Sequence, residues 1–484
     1  MMFETVHQSL RIDNFSLFMS ALVVFMTVAV SIYSLGYCEE RTFWRRVTFF
    51  GAPWAFCLSS CLAVMSGNWF LFTIFVELSS LALFSMILLQ DPGAARLYIF
   101  SQLVGAGFLL AGTALLSAET GTISIGPVPG NLLWLFLTGL GLKAAFPVLH
   151  FWLPEVHSRA PSPASALLSG FAVKIGIFGL AKLASPETGT FFLATGSAMA
   201  LYGVGQALLQ HDAKRLLAYH TISQLGYIIT AFGAGTALGI AAGFFHAVAH
   251  GLFKGLLFLS VGTLEKIYGT RDLGHLGGAA REMPVTFMLF LVGALSISGC
   301  PGFSGFASKA MIKAALYEAP NPAWYWILQA AGVGTVISFC KVGFFAFVRE
   351  PVQRPEPMGE QIPGGRKDSF RNLGMLLPAA ATVALGVMPG FFTRLGGFYG
   401  SNLFGIKNLL PAMVTLALGL FIFRLFRRWF EPGSHDIPDV SDIFATASDL
   451  SAPLYGLLFS MNCGLLRFYI AAVIAAGVAL FLFL

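Results

Sequence analysis

Fourteen runs of consecutive apolar residues constrain this chain more than any other feature. They lie at about 15–37, 47–66, 69–90, 95–117, 130–150, 163–184, 189–209, 219–235, 238–263, 284–318, 324–348, 371–396, 405–423 and 465–484. Each approaches or exceeds the ~20 residues a helix needs to cross a bilayer. A span in hydrocarbon must satisfy its own backbone donors and acceptors, which a helix does within one segment. The composition agrees: of 484 residues, 56% are hydrophobic and 11% charged, against roughly 25% charged in a soluble domain. The mean hydropathy is +0.77. The expected fold is an all-α polytopic membrane protein with about fourteen transmembrane helices.

The first run is expected to be a true span and not a cleavable signal peptide. Glu4, Arg11 and Asp13 precede it, and no small-residue cleavage site follows before Tyr37. The net charge of +6 raises the question of nucleic acid, but its distribution answers it. Stretches after odd-numbered spans hold eighteen basic residues, among them Arg45, Arg46, Lys214, Arg215 and Arg371. The N-terminus and the stretches after even-numbered spans hold four: Arg11, Lys182, Arg394 and Lys407. By the positive-inside rule the chain is expected in the cytoplasmic (inner) membrane with both termini on the non-cytoplasmic side. The excess charge sets topology and marks no nucleic-acid surface.

Seven basic residues remain, all inside or at the edges of apolar runs: Lys143, Lys174, Lys254, Lys309, Lys313, Lys341 and Arg467. One carboxylate joins them, Glu77 in FLFTIFVELSSLALF. A charge at the bilayer centre costs ~2.5–3.5 kcal/mol on insertion scales, so five central lysines cost roughly 12–18 kcal/mol. Snorkelling to an interface accounts for Arg467 and Lys313, which sit near run ends, and poorly for the others. In GFFHAVAHGLFKGLLF, His246, His250 and Lys254 recur every four residues and share one helix face. A histidine pair at that spacing can hold zinc, but the third member is a lysine and no HExxH occurs, so no metal is expected.

Two helices should be discontinuous. Lys143 precedes Pro147 in LKAAFPVLHFWLPEVHSRAPSPASALL, and Lys309 follows Pro301, Gly302 and Gly305 in SISGCPGFSGFASKAMI. Proline removes a backbone donor and glycine weakens a helix. Irregular backbone at membrane depth must be buried in protein or line a water-filled cavity. The pattern repeats, since 166 residues separate Lys143 from Lys309 and 167 separate Lys174 from Lys341. Five spans per unit force opposite orientations, the inverted-repeat arrangement of secondary transporters. The expected divisions are an N-terminal span and loop over 1–46, repeats over 47–184 and 189–348, a cytoplasmic loop over 349–370, and accessory helices over 371–484 with a polar segment at 424–463.

The cysteines, Cys38, Cys57, Cys61, Cys300, Cys340 and Cys463, form no CxxC or CxxCH. They offer no iron–sulfur, structural zinc or haem site, and no cofactor is expected.

The runs GLKAAFPVLHFWLPEVHSRAPSPASALL, DAKRLLAYHTISQLGYI, FFHAVAHGLFKGLLFLSVGTL and GCPGFSGFASK resemble, in order and spacing, the proton-conducting antiporter-like subunits of respiratory complex I, Mrp-type cation/proton antiporters and membrane-bound hydrogenases. The similarity covers about residues 13–345. It implies that Glu77 is the family's conserved glutamate and Lys143 its broken-helix partner, and that Lys174 is the lysine of the next helix. It makes His246, His250 and Lys254 the central line, and Lys309 the terminal lysine. It implies membrane partner subunits and peripheral redox subunits in other chains. Two departures stand out. The chain starts at what would be the family's third helix, and His220 occupies the usual serine of the AYST motif.

The function expected is a proton-translocating subunit of a redox-driven complex of the NADH:quinone oxidoreductase or hydrogenase kind, with no redox centre of its own. Burial disfavours the charged form of a lysine and a nearby carboxylate favours it, so making and breaking a Glu77–Lys143 pair would load and unload Lys143. Protons would pass through Lys174, His250 and Lys254 to Lys309, with His246 and Lys341 as further candidates. An Mrp-type sodium/proton antiporter subunit is the alternative, disfavoured because sodium wants several oxygen ligands and the spans offer one carboxylate. A quinone-binding oxidoreductase subunit and a silent scaffold are weaker readings.

Overall fold

Six of the long helices begin where the sequence supplies a side-chain cap. In the computed structural model, Asp13 forms a capping box with Ser16 at the start of α1 (Asn14–Tyr37). The side chains of Asn68, Asp91, Ser185, Asp212 and Thr236 likewise accept first-turn N–H groups of later helices, satisfying donors that have no intrahelical partner. The structure describes residues 10–39, 42–317, 322–350, 365–390, 394 and 403–432. The chain divides into units 1–436 and 437–484. The second unit, with the last expected span and most of 424–463, lies outside the described residues, as do Arg467 and Cys463.

After α1 come α2 (Phe43–Val64), α3 (Trp69–Leu88), α4 (Pro92–Thr120), α5 (Gly130–Lys143), short α6 (Trp152–Arg159) and α7 (Ser162–Lys182). Then follow α8 (Pro186–Leu209), α9 (Ala213–Gly233), α10 (Ala237–Tyr268), α11 (Pro284–Ser298), α12 (Ser304–Tyr317), α13 (Ala323–Val348), α14 (Arg366–Val387) and α15 (Ile406–Leu425). Among the described residues no strand forms, and β pairing is limited to three isolated bridges such as Asp212 with Asp272. Among the described residues ten helices are long and apolar enough to cross a membrane, which makes this a multi-pass membrane protein. The order of elements is the same in both halves. From α2 and from α8 alike, three continuous helices precede a helix broken in two and then a helix carrying a π turn, Leu168–Ala172 in α7 and Gly343–Val348 in α13.

The broken helices fall where the prolines place them. After α5 the chain leaves the helix at Ala144 and re-enters at Trp152, with Pro147 inside the gap. Between α11 and α12 the gap holds Pro301 and Gly302. Gly305 lies in the first turn of α12 and not in the gap. Its hydrogen stands where a Cβ would meet the Ser296 carbonyl oxygen, so the residue permits a close approach of α11 and α12. Two other expectations need correction. The span placed at 219–235 begins at Ala213, so Lys214 and Arg215 are helical, and Lys214 is wholly buried. The loop placed at 349–370 is helical from Arg366, and Arg371 is buried against Asp368 of its own helix.

The centre of the fold is α10. Its 32 residues are apolar enough to span, yet its most apolar window is entirely enclosed by protein. α9 packs beside it and against α8. There the Gly226 backbone is so near α8 that a Cβ would lie 2.4 Å from the Gly196 oxygen, the small-residue contact that draws membrane helices together. All of α9 except Arg215 is buried, and it is not among the ten sufficiently apolar helices. Surrounded by protein, it is spared contact with lipid.

Candidate functional site

Lys143 is the last residue of α5, and the break beyond it builds the first part of the site. Its Nζ donates to Glu77 Oε1 of α3 at 2.6 Å, with side-chain exposures of 2% and 12%. Gln102 of α4 adds its side-chain and backbone oxygens at 3.3 and 3.4 Å. Past the break the chain adopts left-handed conformations at two residues that are not glycine, Ala145 (φ 56°) and Val148 (φ 69°). Such positions cost about 1–3 kcal/mol each and persist only where surrounding structure imposes them. The carbonyls freed by the break are taken up locally: Leu142 O accepts from the Trp152 indole at 3.0 Å and Gly141 O from Phe146 N at 2.8 Å. α7 lies directly against this turn, for a Cβ on Gly176 would be 3.0 Å from both Ala144 N and Lys143 Cβ.

The π turn of α7 places Lys174. Its ammonium is fully buried and folds back to donate to the Ser169 carbonyl, while the Ser169 hydroxyl pairs with Thr221 of α9 at 2.7 Å. The same turn touches α10 backbone to backbone, since a Cβ on Gly251 would lie 2.7 Å from Gly170 O. His250, adjacent to Gly251, is therefore brought beside the α7 turn.

On α10 the expected face is present. The His246 and His250 rings are 6.3 Å apart and nearly parallel. His246 pairs with Ser308 Oγ of α12 at 2.9 Å and with Gln224 Oε1 of α9 at 3.2 Å. Both ring nitrogens of His250 are buried without a hydrogen-bond partner among the described residues, although imidazole nitrogens taken from water demand one. Lys254, wholly buried, donates to the Leu217 carbonyl and lies 4.9 Å from the Phe258 ring centre. Lys309 donates to Ile297 O at 2.7 Å and sits over the Tyr227 ring at 4.9 Å.

The structure thus pairs Glu77 with Lys143, sets α7, the helix that carries Lys174, against both the α5 break and α10 through Gly176 and Gly170, and joins His246 to the helix of Lys309. It holds Lys341 elsewhere. That ammonium donates to Leu208 O and Gln210 O, each at 2.8 Å, and so caps the C-terminus of α8, where carbonyls lack intrahelical partners and a cation is favourable. Among the described residues no group of three metal-ligating side chains converges.

Several polar residues of the interior are not site residues in the sequence reading, although His220 figures there as a departure from the motif and Lys214 as a loop charge. His157 is buried and stacks on Phe258 at 4.6 Å, and His220 lies 5.0 Å from Phe339. Neither ring finds a hydrogen-bond partner among the described residues. Lys214 Nζ, buried, meets Glu265 at 2.6 Å and Ala160 O at 2.8 Å. Arg271 also bonds Glu265, at 3.1 Å, and bridges to Asp212. Burial acts to lower the Arg271 pKa, but Asp212 and Glu265 outweigh it and hold the group above its ordinary value. The available signal for the histidines was their position inside the quoted motifs; Lys214 was masked by its neighbour Arg215, which together look like a loop pair.

Comparison with known proteins places this arrangement in context. A family described as "NADH:quinone oxidoreductase/Mrp antiporter, TM" matches residues 66–338. A second, "NADH-Ubiquinone oxidoreductase (complex I), chain 5 N-terminus", matches residues 4–50. The chain is 32% identical over 427 residues to "Hydrogenase-4 component B" of Escherichia coli (strain K12), covering 79% of this chain and 63% of that protein. It therefore spans less than two thirds of that relative's length. A chain of the Mrp complex from Dietzia sp. DQ12-45-1b superposes with a TM-score of 0.73 at 24% identity, over 84% of this chain and 86% of the other. A chain of respiratory complex I from Thermus thermophilus with bound aureothin gives a TM-score of 0.67 at 25% identity, over 79% and 86%.

Proposed function

We propose, from the premise that this chain belongs to the NADH:quinone oxidoreductase/Mrp antiporter transmembrane family, that it is a proton-translocating antiporter-like subunit of a multisubunit membrane complex of the NADH:quinone oxidoreductase or hydrogenase kind. The observation that carries this reading is the buried Glu77–Lys143 pair, held at 2.6 Å where a helix breaks. While the pair is closed, the carboxylate favours the ammonium form; when it opens, burial favours the neutral amine, and the proton leaves. Lys174 is the next acceptor across the α5–α7 contact. From there His250, Lys254 and His246 carry the proton along α10 to Lys309 in the second broken helix, with waters joining groups that do not touch. The unsatisfied nitrogens of His250 suit it to such water contacts, and neutral imidazole both donates and accepts. Redox chemistry in partner chains supplies the drive. Lys341, engaged by two carbonyls, is the least suited of the residues assigned to the path.

The architecture proposed with this function is fourteen spans with inverted five-helix repeats over 47–184 and 189–348, flanked by the N-terminal span and by accessory helices from 371. It sits in the cytoplasmic membrane with both termini outside. The partners are other hydrophobic subunits and peripheral redox subunits. The test is proton pumping by the assembled complex in inverted membrane vesicles. Lys143→Ala and Glu77→Gln should each abolish it while the complex still assembles. Unchanged pumping with both substitutions would remove the relay.

A further inference from the structure

Between α12, the start of α13 and the start of α15, the structure holds a small cleft of about 30 Å³, partly open to the outside, with room for one small polar group. Its charged lining is of one sign. Lys309, Lys313 and Lys407 face it together with Tyr227, Tyr325 and Asn408, and among the described residues no carboxylate lines it. Lys309 is engaged by Ile297 O. Lys313 has no ion-pair or hydrogen-bond partner among the described residues and rests 5.9 Å from the Tyr325 ring centre. Lys407 stands in the first turn of α15, a 20-residue helix whose N-cap, Gly405, contributes no side-chain cap. The N-terminal partial charge of that helix therefore adds to the lysines. Lys309 is buried and Lys313 half-buried while Lys407 is exposed at the rim, and like charges brought this close repel one another less when an anion lies among them.

We infer that this cleft binds the phosphate group of an anionic phospholipid, held by Lys313, Lys407 and the N-terminus of α15. The chemistry recognised is a phosphate anion, and the surroundings favour a lipid as its source. Trp326, Ile406, Leu410 and Met413 adjoin the lining residues in sequence and are all more than half exposed, offering an apolar flank for acyl chains beside the headgroup. α15 is the least enclosed of the ten apolar helices, with 22% of its most apolar window buried. The residues proposed to hold the phosphate, Lys313 and Lys407, are not members of the proposed path, although Lys309, its last member, also lines the cleft.

The test is native mass spectrometry of the full chain with its co-purifying partners, delipidated and exchanged into phosphatidylcholine nanodiscs doped with phosphatidylglycerol. Phosphatidylglycerol should be retained in preference to phosphatidylcholine. At about 1 kcal/mol for each lysine near the membrane surface, the double substitution Lys313→Gln/Lys407→Gln should weaken retention about 30-fold. The Lys313→Arg/Lys407→Arg variant should keep it, which separates loss of charge from loss of fold. Equal retention of the two lipids, or unchanged retention in the Gln variant, overturns the proposal. So does displacement of the lipid by millimolar inorganic phosphate in detergent, which would identify a soluble anion as the ligand.

Discussion

Replacing Glu77 by Gln removes one member of the most enclosed ion pair in the proposed path while keeping its shape. Lys143, 2% exposed, would then hold its charge with only the two Gln102 oxygens at 3.3 and 3.4 Å. Breaking a buried pair by removing one partner costs about 3–5 kcal/mol, because the remaining charge is uncompensated. The closed pair from which, in the proposed cycle, Lys143 is loaded can then no longer form. The assay is dye quenching in inverted vesicles, with catalytic turnover of the complex followed in parallel and assembly checked on native gels. Pumping should vanish while the complex remains assembled. The double variant Glu77→Gln/Lys143→Met sharpens the test, because removing both charges of a buried pair is often neutral or stabilising. It should recover thermal stability without recovering transport. Restored pumping in that double variant would refute the argument, since no titratable group would be left at the α5 break.

Other expectations follow from the same geometry. His250→Phe keeps the ring but loses both nitrogens, and should stop pumping with little change in Tm. Lys214→Met leaves Glu265 with Arg271 and the Ser162 hydroxyl at 3.4 Å and the Ala160 carbonyl unpaired; chemical denaturation should show a loss of about 3 kcal/mol, and an unchanged midpoint would contradict the buried pairing. Val148 is 63% exposed with φ at 69°, so Val148→Gly should relieve about 1–2 kcal/mol of backbone strain and raise Tm. For Asp13, burial acts to raise the pKa, but the Lys182 hydrogen bond, the Ser16 N–H and the charges of Lys182 and Arg11 together hold it below its ordinary value of 3.8. A depressed acid contributes stability above its unfolded pKa and loses it as pH falls through the folded one. The wild type should therefore lose more stability than Asp13→Asn on acidification below about pH 4.

The parts of this molecule that could be read in advance are those whose signal is local. Pro147 and Pro301 forbid a continuous helix wherever the chain goes, so both breaks were visible. The spacing of His246, His250 and Lys254 fixes one face of any helix, and Glu77 stood out because a carboxylate inside an apolar run is costly. What escaped depends on partners far along the chain. Lys214 is buried because Glu265 and Ala160 come to meet it, and hydropathy cannot distinguish that from a basic loop. Arg371 escaped likewise, although its partner Asp368 is three residues away, because the pair was taken as part of a loop. Gly305, read as a helix breaker, serves close packing instead. The capping of α8 by Lys341 depends on tertiary placement that a repeat spacing does not disclose.

The enclosure of α9 bears on how this protein reaches its folded state. A segment carrying Lys214, Arg215, His220 and Gln224 gains little by partitioning alone into lipid during synthesis. Its neighbours α8 and α10 are both apolar enough to do so. Insertion of α9 therefore depends on the helices flanking it, and the glycine contact with α8 is available as soon as that pair has left the ribosome. A substitution that enlarges Gly226 or Gly196 should show itself first as a topology or biogenesis defect, with α9 failing to be retained in the membrane, before any question of transport arises.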